Sequence, residues 1–299
     1  MREEKRSSAI TSTSDHGIAE RVQHDSSTFY NSKLYDGLPN ESNVGEEVVF
    51  PLHLENTLHC QKSQSMGIIP SNSVHLCITS PPYNVGKEYE DCETLADYMK
   101  SMRGVMKEVY RVLAPGGRLA INIANLGRKP YLPLVSFFNQ MLLELGFLMR
   151  GEIIWDKAAS AAPSVAWGSW LSPSNPVLRD VHEYILIFSK GSFGRKVEKN
   201  SEKVGTMEKE EFIDWTKSIW TFPTESAKRI GHPAPFPVEL PRRLIKLYSF
   251  TNDVILDPFA GSCTTAIAAI EAKRKYICFD SNQDYVDLGI SRIKKYEET

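Results

Sequence analysis

Cysteine is scarce: the 299-residue chain holds five, Cys60, Cys77, Cys92, Cys263 and Cys278, and no two stand as a C-x-x-C pair. An odd count without paired spacing argues against a disulfide framework and a Cys-rich zinc centre, and suits a reducing cytoplasm, the expected location. The seven histidines form no metal-spaced set, so no metal site is expected. A long apolar run is also missing. The most hydrophobic stretch, residues 141–149, is interrupted by Glu144 and Gly146, so no membrane association is expected. The opening MREEKRSSAITSTSDHG lacks an apolar core, so no secretory signal is expected there. An excess of one charge is lacking too: 35 Lys and Arg against 37 Asp and Glu leave −2. Contact with a polyanion would therefore need a local basic surface. Nor is there a G-x-G-x-x-G run, which a dinucleotide fold would require.

What the chain does have is an ordinary globular composition, 41% hydrophobic and 24% charged, at a length that can bury a sizeable core. Residues 1–45 are rich in Ser, Thr, Asn, Asp and Glu and are read as an arm, disordered over about the first fifteen residues. Phe29-Tyr30 and Leu34-Tyr35 offer it two small apolar anchors. Residues 46–299 are read as one domain in which strands and helices alternate. Residues 73–79 read as a strand. Leu95, Met99, Met102, Met106, Val109 and Leu113 then recur at helical spacing and stop at Pro115-Gly116-Gly117. Strands over 118–124, 151–155 and 181–188 follow, with a helix over about 131–145 and a long loop over 158–180. Residues 223–241 hold five prolines and are expected to be mostly extended. The last stretch is the most regular: helix 240–248, strand 254–256, turn 257–262, helix 264–272, strand 275–279 and a final helix capped by Asn282. Such alternation predicts an α/β fold with a mostly parallel, doubly wound sheet.

Two segments sit where strands end. Asp257-Pro258-Phe259-Ala260-Gly261-Ser262 turns a strand into a helix, the place where doubly wound sheets bind ligands. Gly261 permits close approach of backbone, and the helix start beyond it favours an anionic group. Asp280 ends the following strand, the usual place for an acid that grips ribose hydroxyls. Ser80-Pro81-Pro82-Tyr83 also follows a strand directly. Its prolines remove two N–H donors and stiffen the backbone, leaving carbonyl oxygens able to accept from an amino group. Tyr83 adds a flat face on which an aromatic ring can stack.

The pairing of Thr79-Ser80-Pro81-Pro82-Tyr83 with Asp257-Pro258-Phe259-Ala260-Gly261-Ser262 resembles the amino-methyltransferases that modify DNA with S-adenosylmethionine. The order of the two motifs looks like the permuted β class, and Ser80 in the first position looks like the cytosine-N4 branch. Leu113-Ala114-Pro115-Gly116-Gly117 and Ile154-Trp155-Asp156-Lys157 are similar to further family segments, and the resemblance covers about residues 48–296. It implies a Rossmann-like methyltransferase fold with an inserted target-recognition region over about 158–217. It implies S-adenosylmethionine as cofactor, held by Asp257, Pro258, Phe259, Gly261, Ser262, Thr264 and Asp280 and covered by His232, Ala234 and Phe236. It further implies Ser80, Pro81, Pro82 and Tyr83 as the catalytic segment acting on a base flipped out of duplex DNA. A restriction endonuclease acting on the same site, without stable association, is the partner such an enzyme implies.

Two positions depart from the family pattern. Cys263 stands where Gly is usual, and Cys60-Gln61 where Gly-Asp is frequent; Cys263 is expected to be a tolerated variation. Trp167 and Trp170 in the long loop, and Arg195, Lys196 and Lys199 in the basic stretch 190–203, are the candidate DNA contacts. For Lys and Arg runs the ordinary alternative is a solvated face. The rival functions are methylation of adenine N6 and a non-catalytic protein that binds S-adenosylmethionine or DNA.

Overall fold

The computed structural model describes residues 33–82, 94–127, 130–157, 168–178, 180–197, 203–230 and 236–298. Two compact units divide the chain, Met1–Leu38 and Pro39–Thr299. In the first, the described part is a 3₁₀ turn, Lys33–Tyr35. The expectation of disorder at the start of the chain lies outside the described residues.

The second unit is built on an eight-stranded sheet. Its strands are β1 (Thr57–Cys60), β2 (Val74–Thr79), β3 (Leu113–Ile123), β4 (Phe147–Asp156), β5 (His182–Lys190), β6 (Ile219–Thr221), β7 (Val254–Asp257) and β8 (Lys275–Asp280). Their spatial order is β1-β8-β7-β2-β3-β5-β4-β6. Only β5 runs against the rest, antiparallel to both β3 and β4. Helices are α1 (Leu95–Val112), α2 (Leu134–Glu144), α3 (Lys209–Trp215), α4 (Ala227–Ile230), α5 (Glu239–Tyr248), α6 (Thr264–Glu271) and α7 (Gln283–Glu297).

Alternation along β2 shows why both faces are covered. Every residue of β2 is buried, as a central parallel strand requires. Cys77 packs into a core with Met102, Val105, Phe138 and Leu142 of α1 and α2. Leu76 and Ile78 pack into the opposite core with Leu240, Leu244, Ile267 and Ile293 of α5, α6 and α7. Thr94 starts α1 by accepting the Asp97 N–H, and Asn282 starts α7 by accepting that of Asp284, as its sequence position predicts.

The expected turn at Pro115-Gly116-Gly117 lies inside β3 as a bulge, where the register jumps from Val74–Leu113 to Leu76–Arg118. The edge strands β1 and β6, of four and three residues, and the seven-residue helix α3 are too short to show a period in the sequence.

Candidate active site

The chain leaves β2 through α1 toward β3 on one side, and leaves β7 through α6 toward β8 on the other. β2 and β7 are neighbours, so the sheet's switch point lies between Thr79 and Asp257, at the edge where parallel strands end. Both sequence motifs meet there. Asp257 is fully buried and accepts from Thr79 Oγ1 at 3.0 Å, Thr265 Oγ1 at 2.6 Å and the Phe259 N–H at 3.1 Å. Burial pushes its carboxyl up to about 6, against the lowering effect of those three donors. Its carboxylate therefore presents no surface to a ligand. That corrects the expectation of a direct cofactor contact: Asp257 is the latch that joins the Ser80-Pro81-Pro82 segment to the 257–262 turn.

Asp280 ends β8, half-buried, and both its oxygens already serve the turn. Oδ2 accepts the Gly261 N–H at 2.8 Å and Oδ1 accepts the Asn282 N–H at 2.9 Å. Each oxygen retains a lone pair for ribose hydroxyls, so the residue has a structural task beside the expected one. Other residues that the sequence did not single out hold the same turn. Ser63 Oγ donates to the Pro258 carbonyl at 2.5 Å, and Arg292 of α7 donates to the Ser262 carbonyl. Pro258, Gly261, Ser262 and Thr264 are buried, and Phe259 is half-buried.

Cys263, at the helix start, has φ +59, a left-handed conformation that favours glycine. Its side chain is fully buried, and the space for it comes from Gly289 of α7, where a Cβ would stand 2.4 Å from Cys263 Sγ. Gly289→Ala is expected to lower stability by about 1–3 kcal/mol through overpacking. Adding Cys263→Gly should recover most of that loss, while Cys263→Gly alone should be near neutral. Thermal melts of the four proteins in this cycle check it; an additive double variant would show that the two residues do not share the space.

Ser80 is half-buried and Pro81 buried at the end of β2. Tyr83 lies outside the described residues, as do Trp167, Lys199, His232 and Ala234. Phe236 is partly buried and packs against the core beneath α5. The register that pairs Thr79 with Ile121 brings Ser80 level with Asn122 of β3. Asn122 is buried; its amide donates to Glu183 Oε2 at 2.5 Å, and Lys157 Nζ donates to Glu183 Oε1 at 2.7 Å. Asn122 Oδ1 is buried without a partner among the described residues. No local pattern pointed to this Lys157–Glu183–Asn122 chain, because Asn122 lies in β3, Glu183 in β5 and Lys157 just past the end of β4.

The candidate DNA contacts separate. β4 ends and β5 begins at the edge where β2 also ends, and Trp170, in the segment between β4 and β5, is exposed. β5 then runs the other way for nine residues, roughly 27 Å, and delivers Lys190 and Arg195 to the opposite edge. Arg195 is buried against Asp253, with Nη2 3.1 Å from Oδ1, in a cluster with Glu47, His75 and Lys203. Lys190 is buried too, donating to Asn72 Oδ1 and the Arg111 and Leu113 carbonyls, and burial lowers it to about 8. This corrects the reading of the basic stretch: Arg195 is an internal ion-pair residue, and Lys196, though exposed, lies on the edge away from the motifs.

Among the described residues no group of three or more His, Cys, Asp or Glu is placed to hold a metal, and no helix is long and apolar enough to cross a membrane.

Residues 74–291 match the family model of N6/N4 DNA methylases. A Type II methyltransferase, M.MthZI of Methanothermobacter thermautotrophicus, is 31% identical over 80% of this chain and 76% of its own length. A DNA modification methylase from Thermus thermophilus, solved in complex with S-adenosyl-L-methionine, is 30% identical. It covers 81% of this chain and 94% of its own, with a TM-score of 0.66. The PvuII DNA methyltransferase, described as cytosine-N4-specific, covers 86% of this chain and 94% of its own with a TM-score of 0.64; at 21% identity that likeness shows the fold. S-adenosylmethionine is the cofactor, and the site fits it: a half-buried acid at the end of β8 and a glycine-bearing turn meet at the switch point. With both motifs joined across that switch point and 74–291 matching throughout, the chain belongs to the N6/N4 DNA methylase family and is a site-specific DNA methyltransferase.

Proposed function

We propose that the methyl acceptor is the exocyclic N4 of a cytosine flipped out of duplex DNA. The observation that carries this reading is the position of Ser80-Pro81-Pro82, latched through Thr79 and Asp257 to the 257–262 turn, with a neutral hydroxyl where a carboxylate would resemble the adenine branch. Bound S-adenosylmethionine supplies a methyl group on a positively charged sulfur. The chain's own residues act on the amine, whose lone pair is delocalised into the ring. Ser80 Oγ and the Pro81 carbonyl accept its N–H bonds, which favours a tetrahedral nitrogen able to attack. The prolines keep competing donors away. Tyr83 stacks on the extruded base. Asp280 holds the ribose hydroxyls while fixing Gly261, and Phe236, His232 and Ala234 cover the methionine end.

No cysteine nucleophile is used in this reading. Burial holds Cys77 as a thiol well above its ordinary pKa, and the adjacent Cys263 thiol together with burial does the same for Cys278. The Type II designation of the relatives supports an endonuclease that reads the same sequence without stable association.

Digestion of modified DNA to nucleosides should yield N4-methylcytosine with little N6-methyladenine; mainly N6-methyladenine would transfer the reading to the adenine branch. Truncating a base-stacking aromatic costs about 1–3 kcal/mol, so Tyr83→Ala should slow methyl transfer about tenfold to a hundredfold with cofactor affinity preserved. Tyr83→Phe should keep substantial activity, since the flat face remains.

A further inference from the structure

The Lys157–Glu183–Asn122 chain ends on an acceptor that the described residues leave unused. Asn122 is 3% exposed, and its Oδ1 has no partner among the described residues. A buried acceptor without a donor is costly, so its presence calls for one. The carboxylate of Glu183 fixes which way the amide faces. Lys157 Nζ takes Glu183 Oε1 at 2.7 Å, and Oε2 lies 2.5 Å from Asn122 Nδ2. A carboxylate only accepts, so the amide must offer it an N–H; reversed, two oxygens would be in contact. Glu183 belongs to β5, on one side of β3, and Oδ1 diverges from Nδ2 toward the other side, where β2 lies.

Ser80 stands on that side. Ile78 of β2 and Ala120 of β3 are register partners and share the core formed with α5 and α6. Two residues further along both strands, Ser80 and Asn122 therefore share that face at the same level. Pro81 keeps Ser80 extended, so the alternation continues through it. Neighbouring strands stand about 4.8 Å apart, which brings the two side chains within reach of each other. The proposed reaction needs lone pairs from Ser80. A hydroxyl has two of these and one proton, and the proton must be placed away from an amine that donates. Asn122 Oδ1 is a vacant acceptor for it.

We infer that Lys157 and Glu183 lock the Asn122 amide so that its Oδ1 takes the Ser80 hydroxyl proton and leaves the Ser80 lone pairs to the target amine. This rests on the proposed methylation of cytosine N4 and makes Lys157, Glu183 and Asn122 positioning residues for it. It also gives residue 80 a reason to be a hydroxyl, since a carboxylate there would set acceptor against acceptor. The test uses the full chain, labelled S-adenosylmethionine and a duplex carrying the site mapped by sequencing DNA methylated by the expressed protein. Glu183→Gln keeps the shape but reverses the lock. Its Oε1 still serves Lys157, so its NH2 faces Asn122, whose amide turns over and presents an N–H to Ser80. The Ser80 proton is then left toward the amine. Glu183→Gln should lower kcat about tenfold to a hundredfold, with KM for DNA, cofactor affinity and melting temperature near wild type. Ser80→Ala should lose a similar factor alone, but no more than about threefold further in the Glu183→Gln protein, because both changes remove one interaction. Asn122→Leu, which removes the amide, should couple to Ser80→Ala in the same way. Losses that multiply, or full activity of Glu183→Gln, would overturn the inference and leave the role of Ser80 standing. Loss expressed in KM, cofactor affinity or melting temperature would make the chain structural and overturn it as well. Full activity of Ser80→Ala, or mainly N6-methyladenine in the product, would bring down the functional reading itself, and the inference with it.

Discussion

Asp257→Ala should produce a protein that is less stable by about 3–5 kcal/mol and binds no cofactor at concentrations that saturate the wild type. Three donors aim at that carboxylate from different elements: Thr79 at the end of β2, Thr265 in α6 and the Phe259 N–H in the turn. Removing the acceptor leaves the two threonine hydroxyls buried and unpaired and the part-buried Phe259 N–H without its acceptor, and each buried orphan costs about 1–3 kcal/mol, partly relieved by rearrangement. The two motifs also lose their only described side-chain tie, so the loss of binding follows from geometry as well as from stability. Denaturant unfolding and calorimetric titration with S-adenosylmethionine measure the two effects. A variant with wild-type affinity would show that the latch is dispensable. The same residue carries a pH signature. Its folded-state value, about 6, lies above the ordinary 3.8, so its stabilising contribution is complete below pH 3.8 and is lost as pH rises through 6. The difference is worth on the order of 3 kcal/mol, and it should be missing from the pH–stability profile of the Asp257→Ala protein.

Arg195→Glu should be the second severe change, and the loss should appear in folding rather than in DNA affinity as such. Asp253 is fully buried and Arg195 nearly so, with bonds from both terminal nitrogens to the carboxylate. Breaking a buried pair typically costs about 3–5 kcal/mol, and reversal adds repulsion from Glu47 at 3.4 Å. Lys196→Glu, one residue on and exposed, should leave the melting temperature within a degree or two. Thermal melts of both variants make the comparison; a normally stable Arg195→Glu protein with weakened DNA binding would return this residue to the recognition surface. Acid should act on the same cluster. The His75 hydrogen bond holds Glu47 well below the usual carboxylate range, so the stability it contributes is present above about pH 4.5 and is lost as pH falls.

The amino-acid sequence by itself determined the alternation of elements, the fold class and the two motifs that meet at the switch point. Those features are local. Helical spacing from Leu95 to Val109, the apolar run along β2 and the turn residues at 257–262 are all written within a few positions of one another. The tertiary structure alone decided which edge each segment reaches. A strand's periodicity is the same in either direction, and β5 reads like its neighbours although it runs against them. That one reversal carries the basic stretch to the edge opposite Ser80, where Arg195 is half of a buried ion pair. The same holds for the pairs that span the chain. Cys263 finds its room at Gly289, Pro258 its donor at Ser63, and Asn122 its partner at Glu183. Each pair exists because packing brings distant residues together, and no local pattern encodes that meeting.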